Sequence, residues 1–487
     1  MNANTILEPT LRDILEVIKP LREDFVVRSE IIEELKYIVS SVESFRGATV
    51  EPFGSFVSNL FTRWGDLDIS VMFLNGSYIS SAGKKRKQNL LVELLKALRQ
   101  RGGWRRLQFV PHARVPILKF ESRQSISCDI SIDNLQGQMK SKFLFWINQI
   151  DGRFRDMVLL VKEWAKAHKI NDPKCGTFNS YSLTLLVIFH FQTCVPAILP
   201  PLREIYPRNV ADDLIGERIV ADESIKEICN ANISKYMLGK PRATNRSSLS
   251  ELFISFLAKF SDIRSKAADL GICTFTGEWQ DIRSTMRWLP KTYAIFIEDP
   301  FEQPENTARA VRAANLDRIS EAFQMTYHSL IMANQIRSSL IGVLVRPQIF
   351  SFIAAGVPVG NPGYGPPHYQ SIQQIGWPMH SPPQVQRQIH NSRQERHANY
   401  LTTRKPENFR KNSRSQVESM RLEKHPNYFT KQRQETLPDN SINQRTQSYP
   451  NTSRRPKPAV HHNAQDQHVW RPKLDGKRTE GYTDEFQ

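Results

Sequence analysis

Apolar residues recur every three or four positions over residues 11–42, the spacing of an amphipathic helix, and the run breaks at Pro20. The same spacing predicts a helix over 88–99, behind the basic stretch Lys84-Lys-Arg-Lys87. The period shortens to two where Asp66, Asp68 and Ser70 alternate with Leu67, Ile69 and Val71, and again in Ile126-Ser-Cys-Asp-Ile-Ser-Ile132, so both segments read as strands. Short strands are also expected over 107–110 and 115–120. Beyond Asn134 the spacing is helical, over 143–150, 155–168, 181–192 and 248–260. The pattern predicts an α+β chain: a mixed sheet flanked by helices in residues 1–140, whose first helix is free to pack on the next part, and a mainly helical second domain in 141–345.

The two alternating strands carry the chemistry. A strand that buries Leu67, Ile69 and Val71 presents Asp66 and Asp68 together on its other face. Asp129 repeats the arrangement opposite Cys128, Ile130 and Ile132, and pairing the two strands side by side completes a three-carboxylate cluster. Asp133 shares the Asp129 face but precedes the turn-like Asn134, so Asp129 is the third acid of choice. Three adjacent carboxylates repel one another unless a cation neutralises them, and hard oxygen ligands suit Mg2+ or Mn2+. Two such ions about 3.5–4 Å apart activate a 3'-hydroxyl and stabilise a pyrophosphate leaving group. Gly54 and Ser55, a little over ten residues upstream, form a turn whose backbone and hydroxyl can approach phosphates closely because glycine has no Cβ. Metal-dependent nucleotidyl transfer is the reaction this pattern points to.

The run Pro52-Phe-Gly-Ser-Phe-Val-Ser-Asn-Leu-Phe-Thr-Arg-Trp-Gly-Asp-Leu-Asp-Ile-Ser70, with Arg114-Val-Pro-Ile117 ahead of Asp129, resembles the polymerase-beta-type nucleotidyltransferases. The resemblance lies with the poly(A) polymerases and terminal uridylyltransferases, and within them with the plant enzymes that tail unmethylated small RNAs. It extends over about residues 5–345, through Gly176-Thr-Phe-Asn-Ser-Tyr-Ser-Leu183 and Ile297-Glu-Asp-Pro-Phe-Glu302.

The resemblance implies a poly(A)-polymerase-associated helical domain completing a nucleotide cleft. It implies that Ser55 contacts phosphate, that Asp66, Asp68 and Asp129 bind metal and are catalytic, and that Asn134 lies near the ribose. Lys162 and Lys166, one turn apart, match the triphosphate lysines, and their i, i+4 spacing brings two cations to one polyanion. Ser180 and Tyr181 match a phosphate-contacting serine and a base-stacking tyrosine, a role indifferent to which base is bound. The base edge is expected near Asp299 and Glu302. Uridylyltransferases of this group often carry histidine three residues after that glutamate, whereas this chain has Glu305. An ionised glutamate only accepts hydrogen bonds, so it can take uracil N3–H or the amino group of adenine or cytosine. By resemblance the expected reaction is UMP transfer from UTP to RNA 3' ends, small RNAs in particular, promoting their decay. Adenylyl transfer is the alternative, and a noncatalytic RNA-binding adaptor the alternative of another class. The resemblance also implies association with an Argonaute complex.

Composition adds an appendage to this core. Of the net charge of +17, residues 347–487 supply +9, from 20 Lys and Arg against 11 Asp and Glu. This stretch is rich in Gln, Asn, Ser and Pro and poor in apolar runs, so residues 346–487 read as a disordered basic tail, a site of salt-sensitive phosphate contacts or a solubilising extension. Lys84-Lys-Arg-Lys87 is open to the same two readings, RNA contact or a solvated loop end. Five cysteines without CxxC spacing and two isolated histidines, His168 and His190, suggest neither a disulfide framework nor a zinc site. No stretch is long and apolar enough to span a bilayer, no signal pattern opens the chain, and Arg454-Arg-Pro-Lys457 suits nuclear import; nucleus and cytoplasm are the expected compartments, with no membrane partner.

Overall fold

Pro20 divides the first helical run in two. The computed structural model, which describes residues 4–73, 83–239, 243–289, 292–332 and 336–354, places α1 at Asn4–Ile18 and α2 at Arg22–Ser40. Leu21 N donates to Asp24 Oδ2 at 2.7 Å and fixes the start of the second helix. There follow β1 (Ala48–Phe53), the single turn α3 (Gly54–Val57), β2 (Leu67–Phe73), α4 (Lys84–Arg101), β3 (Arg105–Val110), β4 (Ile117–Glu121) and β5 (Ser127–Ile132). The strands form one sheet in the order β1-β2-β5-β4-β3. β2 and β5 are parallel and every other pair is antiparallel, so the sheet is mixed as the sequence predicted.

The helical part begins with α5 (Leu135–Asn148), α6 (Gly152–Ala167) and α7 (Ser180–Gln192). It continues through α8 (Leu202–Ile205), α9 (Val210–Asp213), α10 (Arg218–Leu238), α11 (Leu249–Phe260) and α12 (Ile263–Lys266). A short hairpin of β6 (Leu270–Cys273) and β7 (Glu278–Asp281) precedes α13 (Ala313–Ile331), α14 (Arg337–Leu344) and α15 (Pro347–Ala354). Polar side chains set several of these starts: Asn179 accepts from Ser182 N at 2.7 Å before α7, and Ser248 and Glu251 form a reciprocal capping box at α11. α7 is apolar almost all round and buried from Ser182 to Gln192, as befits a central helix.

Among the described residues two large apolar cores result, with a small third cluster of Cys273, Trp288 and Phe296. One lies between the sheet, α2 and α4, from Ile31 and Leu35 to Leu94, Leu118 and Ile130. The other gathers α5, α6, α7, α11 and α13, and it includes α1 through Leu7, Leu11, Ile14 and Ile18. Among the described residues no helix is long and apolar enough to cross a membrane.

Three expectations need correction. Lys84 to Lys87 form the first turn of α4 rather than a loop; Lys84, Lys85 and Arg86 are exposed, and Lys87 Nζ donates to Asp133 O at 3.1 Å. Residues 347–354 are helical, not part of a structureless tail: Pro347 suits a first helical position, and Ile349, Phe350 and Ile353 face the core. The rest of the predicted tail, residues 355–487, lies outside the described residues. The third is β1, absent from the sequence reading because Glu51 and Pro52 interrupt its apolar alternation on an edge strand.

Candidate active site

The parallel ladder sets Asp68 directly beside Asp129, because Leu67, Ile69 and Val71 on one strand and Cys128, Ile130 and Ile132 on the other are buried and leave only the opposite face for the acids. Asp66 stands just ahead of β2, exposed at the rim of the sheet. Crowding registers in the charge states: the Asp68 carboxyl is pushed up to about 7, first by burial and then by Asp129 and Asp66. Asp66, though its outer side is exposed, is also raised, first by the protein that shelters its carboxyl and next by Asp129. Asp133, the competing acid, has φ of 46° and accepts from Phe73 N at 2.9 Å, which makes it a turn residue.

Gly54 opens α3 with φ of 71°, and a Cβ at this position would collide with Asp68 Oδ2. Its N–H donates to Ser141 Oγ on α5 at 2.7 Å. Ser55, half-buried, is the next residue of the same turn, and its carbonyl accepts from Leu60 N at 2.9 Å. Leu60 O in turn accepts from Lys162 Nζ at 2.8 Å. Burial, then Lys166, brings Lys162 down to about 8, with Asp68 and Asp66 opposing the shift. Lys166 is lowered by burial and by Arg346, against the pull of Glu163 and Asp66. The lysine pair and the acids therefore share one electrostatic neighbourhood.

A second group lies across α5. Lys140 Nζ donates to Asp299 Oδ2 at 2.5 Å and to Glu302 Oε2, and it stands 5.4 Å from the Tyr181 ring centre. Tyr181 O–H donates to Asp299 Oδ1 at 3.2 Å, and burial followed by Asp299 holds this phenol well above its ordinary range. Arg114 reaches Glu302 Oε1 at 2.5 Å and Glu305 Oε2 at 3.3 Å, and Arg309 also reaches Glu305 Oε2 at 3.3 Å. The loop is closed on itself by Asp299 N to Glu305 O at 2.8 Å, while Phe301 stacks on Phe143 of α5 with ring centres 4.3 Å apart. Because Lys140 and Ser141 are consecutive, α5 joins this second group to Gly54 and the acids.

Two further candidate residues are engaged within the protein. The Asn134 side chain caps α5, accepting from Gly137 N at 3.1 Å, while its N–H donates to Ser70 Oγ at 2.9 Å. Ser180 starts α7, and its hydroxyl donates to Asn171 Oδ1 at 3.3 Å. Two surface cavities, of about 430 Å3 beside Tyr206 and Ile225 and about 590 Å3 beside Glu8 and Arg153, lie apart from all these residues.

Lys119, Lys140 and Arg28 went unseen in the sequence. Lys119 is the ladder partner of Asp129 on β4 and sets its ammonium on Asp129 Oδ2. A lone lysine inside the apolar run of 115–120 was its only mark. Arg28, wholly buried, donates to Arg63 O at 3.1 Å and Gly65 O at 2.6 Å and so holds the loop that leads to Asp66. It could have been suspected from its place on the apolar stripe of Ile31, Ile32 and Leu35. Lys140 lies 159 residues from Asp299 and carried no local mark.

Among the described residues no three acidic, histidine or cysteine side chains converge as a ready-made ligand cage. The acids nevertheless fit a cation. Asp129 Oδ1 is buried without a hydrogen-bond partner, the Asp68 carboxyl is driven towards protonation by burial and then by its acidic neighbours, and Lys119 supplies positive charge where these oxygens call for it.

Comparison with known proteins identifies the family. Residues 7–149 match the family described as "Poly(A) RNA polymerase, mitochondrial-like, central palm domain". Protein HESO1 of Arabidopsis thaliana is 62% identical over 350 residues, which cover 72% of this chain and 68% of that protein. The chain belongs to the polymerase-beta-type RNA nucleotidyltransferases. A further relative, the terminal uridylyltransferase cid1 of Schizosaccharomyces pombe, is 26% identical over 335 residues, covering 64% of this chain and 75% of its own. In fold, the chain is similar to the Cid1 poly(U) polymerase solved with MgGTP bound, with a TM-score of 0.55, 22% identity, and coverage of 71% of this chain and 98% of that one. The α+β architecture of sheet and helical part is that of the family.

Proposed function

We propose that this nucleotidyltransferase is a template-independent RNA 3'-terminal uridylyltransferase. The observation that carries the reading is the in-register pairing of Asp68 with Asp129 beside Asp66, with Gly54 packed against Asp68 and Lys162 and Lys166 facing the same acids. Asp66, Asp68 and Asp129 are the groups that would hold divalent cations, Mg2+ or Mn2+, whose chemistry is to lower the pKa of a 3'-hydroxyl and to neutralise pyrophosphate. Lys162 and Lys166 bind the triphosphate, Ser55 and Ser180 approach its oxygens, and Asn134 stands near the ribose. Tyr181, whose hydroxyl is tied to Asp299, offers its ring to the base. Residues 1–140 and 141–345 act as the two halves of the nucleotide cleft.

UTP stands ahead of ATP because the motifs resemble the plant terminal uridylyltransferases and a relative bears that activity in its name. Asp299, Glu302 and Glu305 surround the base edge, and each is already engaged by Lys140, Arg114 or Arg309. Unmethylated small RNAs, an Argonaute complex as partner, and action in both nucleus and cytoplasm complete the proposal. The test is extension of a labelled single-stranded RNA by the purified chain with Mg2+ and each nucleoside triphosphate in turn. Extension with UTP that disappears in the Asp66→Ala, Asp68→Ala double variant supports the reading; a strong preference for ATP turns it into adenylyl transfer, and no extension with any triphosphate overturns it.

A further inference from the structure

Two large aromatic side chains stand open to solvent, one of them two residues ahead of Asp66. Trp64, two residues before Asp66, is 42% exposed, and Phe352 on α15 is 46% exposed. Their rings are stacked, 5.9 Å between centres and 25° between planes, and the Arg63 guanidinium lies 5.6 Å from the Trp64 ring centre. We propose that Trp64 and Phe352 form a stacking platform that receives the bases of the acceptor RNA as its 3' end enters the Asp66–Asp68 site. The proposal rests on the RNA-tailing reading above and adds to it the residues that hold the acceptor strand.

The platform is built rather than incidental. The buried guanidinium of Arg28 grips the carbonyls on either side of Trp64, those of Arg63 and Gly65. Gly65 N donates to Thr62 O at 2.7 Å and Arg63 N to Ile18 O at 3.1 Å, so the tryptophan is carried on a loop tied at several points. On the other side, α15 is fastened at its start by Arg346, which donates through its backbone N, Nε and Nη2 to Glu163 at 2.8–3.1 Å. Ile349, Phe350 and Ile353 pack α15 on the helical core. These three contacts seat the helix, so Phe352 is held against Trp64 with part of its ring still exposed. Rings fixed in advance lose little freedom when a ligand stacks on them.

Position and charge choose the partner. Glu163, which anchors α15, shares α6 with Lys162 and Lys166, and Lys166 feels both Arg346 and Asp66. Trp64 precedes Asp66 by two residues, so the stack lies on the segment that leads into the acids. The 133 residues that follow Ala354 carry 20 Lys and Arg against 11 Asp and Glu, all of them from Arg387 onward, so the chain as a whole has a cationic C-terminal stretch. Paired aromatic faces, an arginine beside them and a cationic extension suit single-stranded RNA, whose bases all have π-faces and whose backbone is anionic.

The experiment uses the full chain and a single-stranded RNA that ends in a 3'-deoxynucleotide and carries 2-aminopurine near that end, so that binding is read without extension. Matching 3'-hydroxyl RNA and UTP give the kinetic constants. Trp64→Ala and Phe352→Ala are expected to weaken RNA binding and raise the KM for RNA by about tenfold each. The KM for UTP and kcat at saturating RNA should stay within about twofold, and Trp64→Tyr should restore most of the loss. An unchanged KM for RNA in both alanine variants overturns the proposal. So does a parallel rise in both KM values with a lowered Tm, which would mark the pair as packing only. A parent that quenches the probe through these rings yet adds no nucleotide upholds the platform and defeats the reaction assignment instead.

Discussion

Lys119 on β4 holds Asp129 of β5 by its ammonium, from the side of the strand opposite Asp68. The lysine thus occupies, within the protein, the electrostatic role that a divalent cation would take on the other face of the same carboxylate. Lys119→Met is expected to destabilise the cation-free protein by about 1–3 kcal/mol, the range for a charged hydrogen bond that is partly buried. Mg2+ should then raise the Tm of the variant more than that of the parent. Thermal unfolding with EDTA and with Mg2+ makes the comparison, and an equal rise in both proteins would remove Asp129 from the ligand set.

Gly54→Ala tests the close approach of the α3 turn to Asp68. The new methyl would have to displace the Asp68 carboxylate, and the φ of 71° adds about 1–2 kcal/mol of backbone strain for any other residue. Extension should fall by at least about 100-fold while far-UV circular dichroism stays that of the parent. Retained activity would mean that the carboxylate position is not critical.

Glu305→His asks what the departure from the uridylyltransferase pattern does. In this chain the carboxylate bridges Arg114 and Arg309, and a neutral imidazole cannot hold both guanidinium groups. Incorporation from an equimolar mixture of UTP and ATP should shift towards UTP by about tenfold, on the order of one hydrogen bond. An unchanged ratio would place base choice with Asp299, Glu302 and their cations alone.

Acid sensitivity should come in part from His190. It is buried beside Phe191 and Phe256, and burial, then Lys259, holds its pKa down at about 3. In the unfolded chain the same group titrates near 6.5. Above that pH both states are neutral and the group adds no pH dependence. As pH falls from 6.5 towards 3 only the unfolded chain takes up the proton, so stability declines by up to about 1.4 kcal/mol per pH unit. Urea unfolding at pH 7 and pH 5 should show a smaller loss for His190→Gln than for the parent, and equal losses would exclude this group.

The strands that bring Asp68 and Asp129 together were legible because a sheet with one buried face leaves a period-two record, and Leu67, Ile69, Val71, Ile130 and Ile132 wrote it plainly. The helices expected over 181–192 and 248–260 were legible from their apolar spacing, and the structure starts them within one residue of those bounds, at Ser180 and Leu249. What stayed hidden depends on distance along the chain. Lys119 became a partner of Asp129 only through strand register, and Lys140 met Asp299 only once α5 had been laid against the loop. The β6–β7 hairpin was missed inside an otherwise helical segment because Gly271 and the polar strand Glu278–Asp281 give no alternation to read. α15 was missed for another reason: its apolar residues, too few to suggest a core of their own, complete one supplied by α1 and α14.

The placement of α1 among the helices and of α2 on the sheet makes the peptide around Pro20 a covalent strap between the two lobes, reinforced where Arg63 N meets Ile18 O. The lobes are consequently interwoven rather than strung in series. A fragment cut just past the sheet would take α1 away from the core it completes, and a graft of the helical part onto another enzyme's sheet would have to bring that first helix with it.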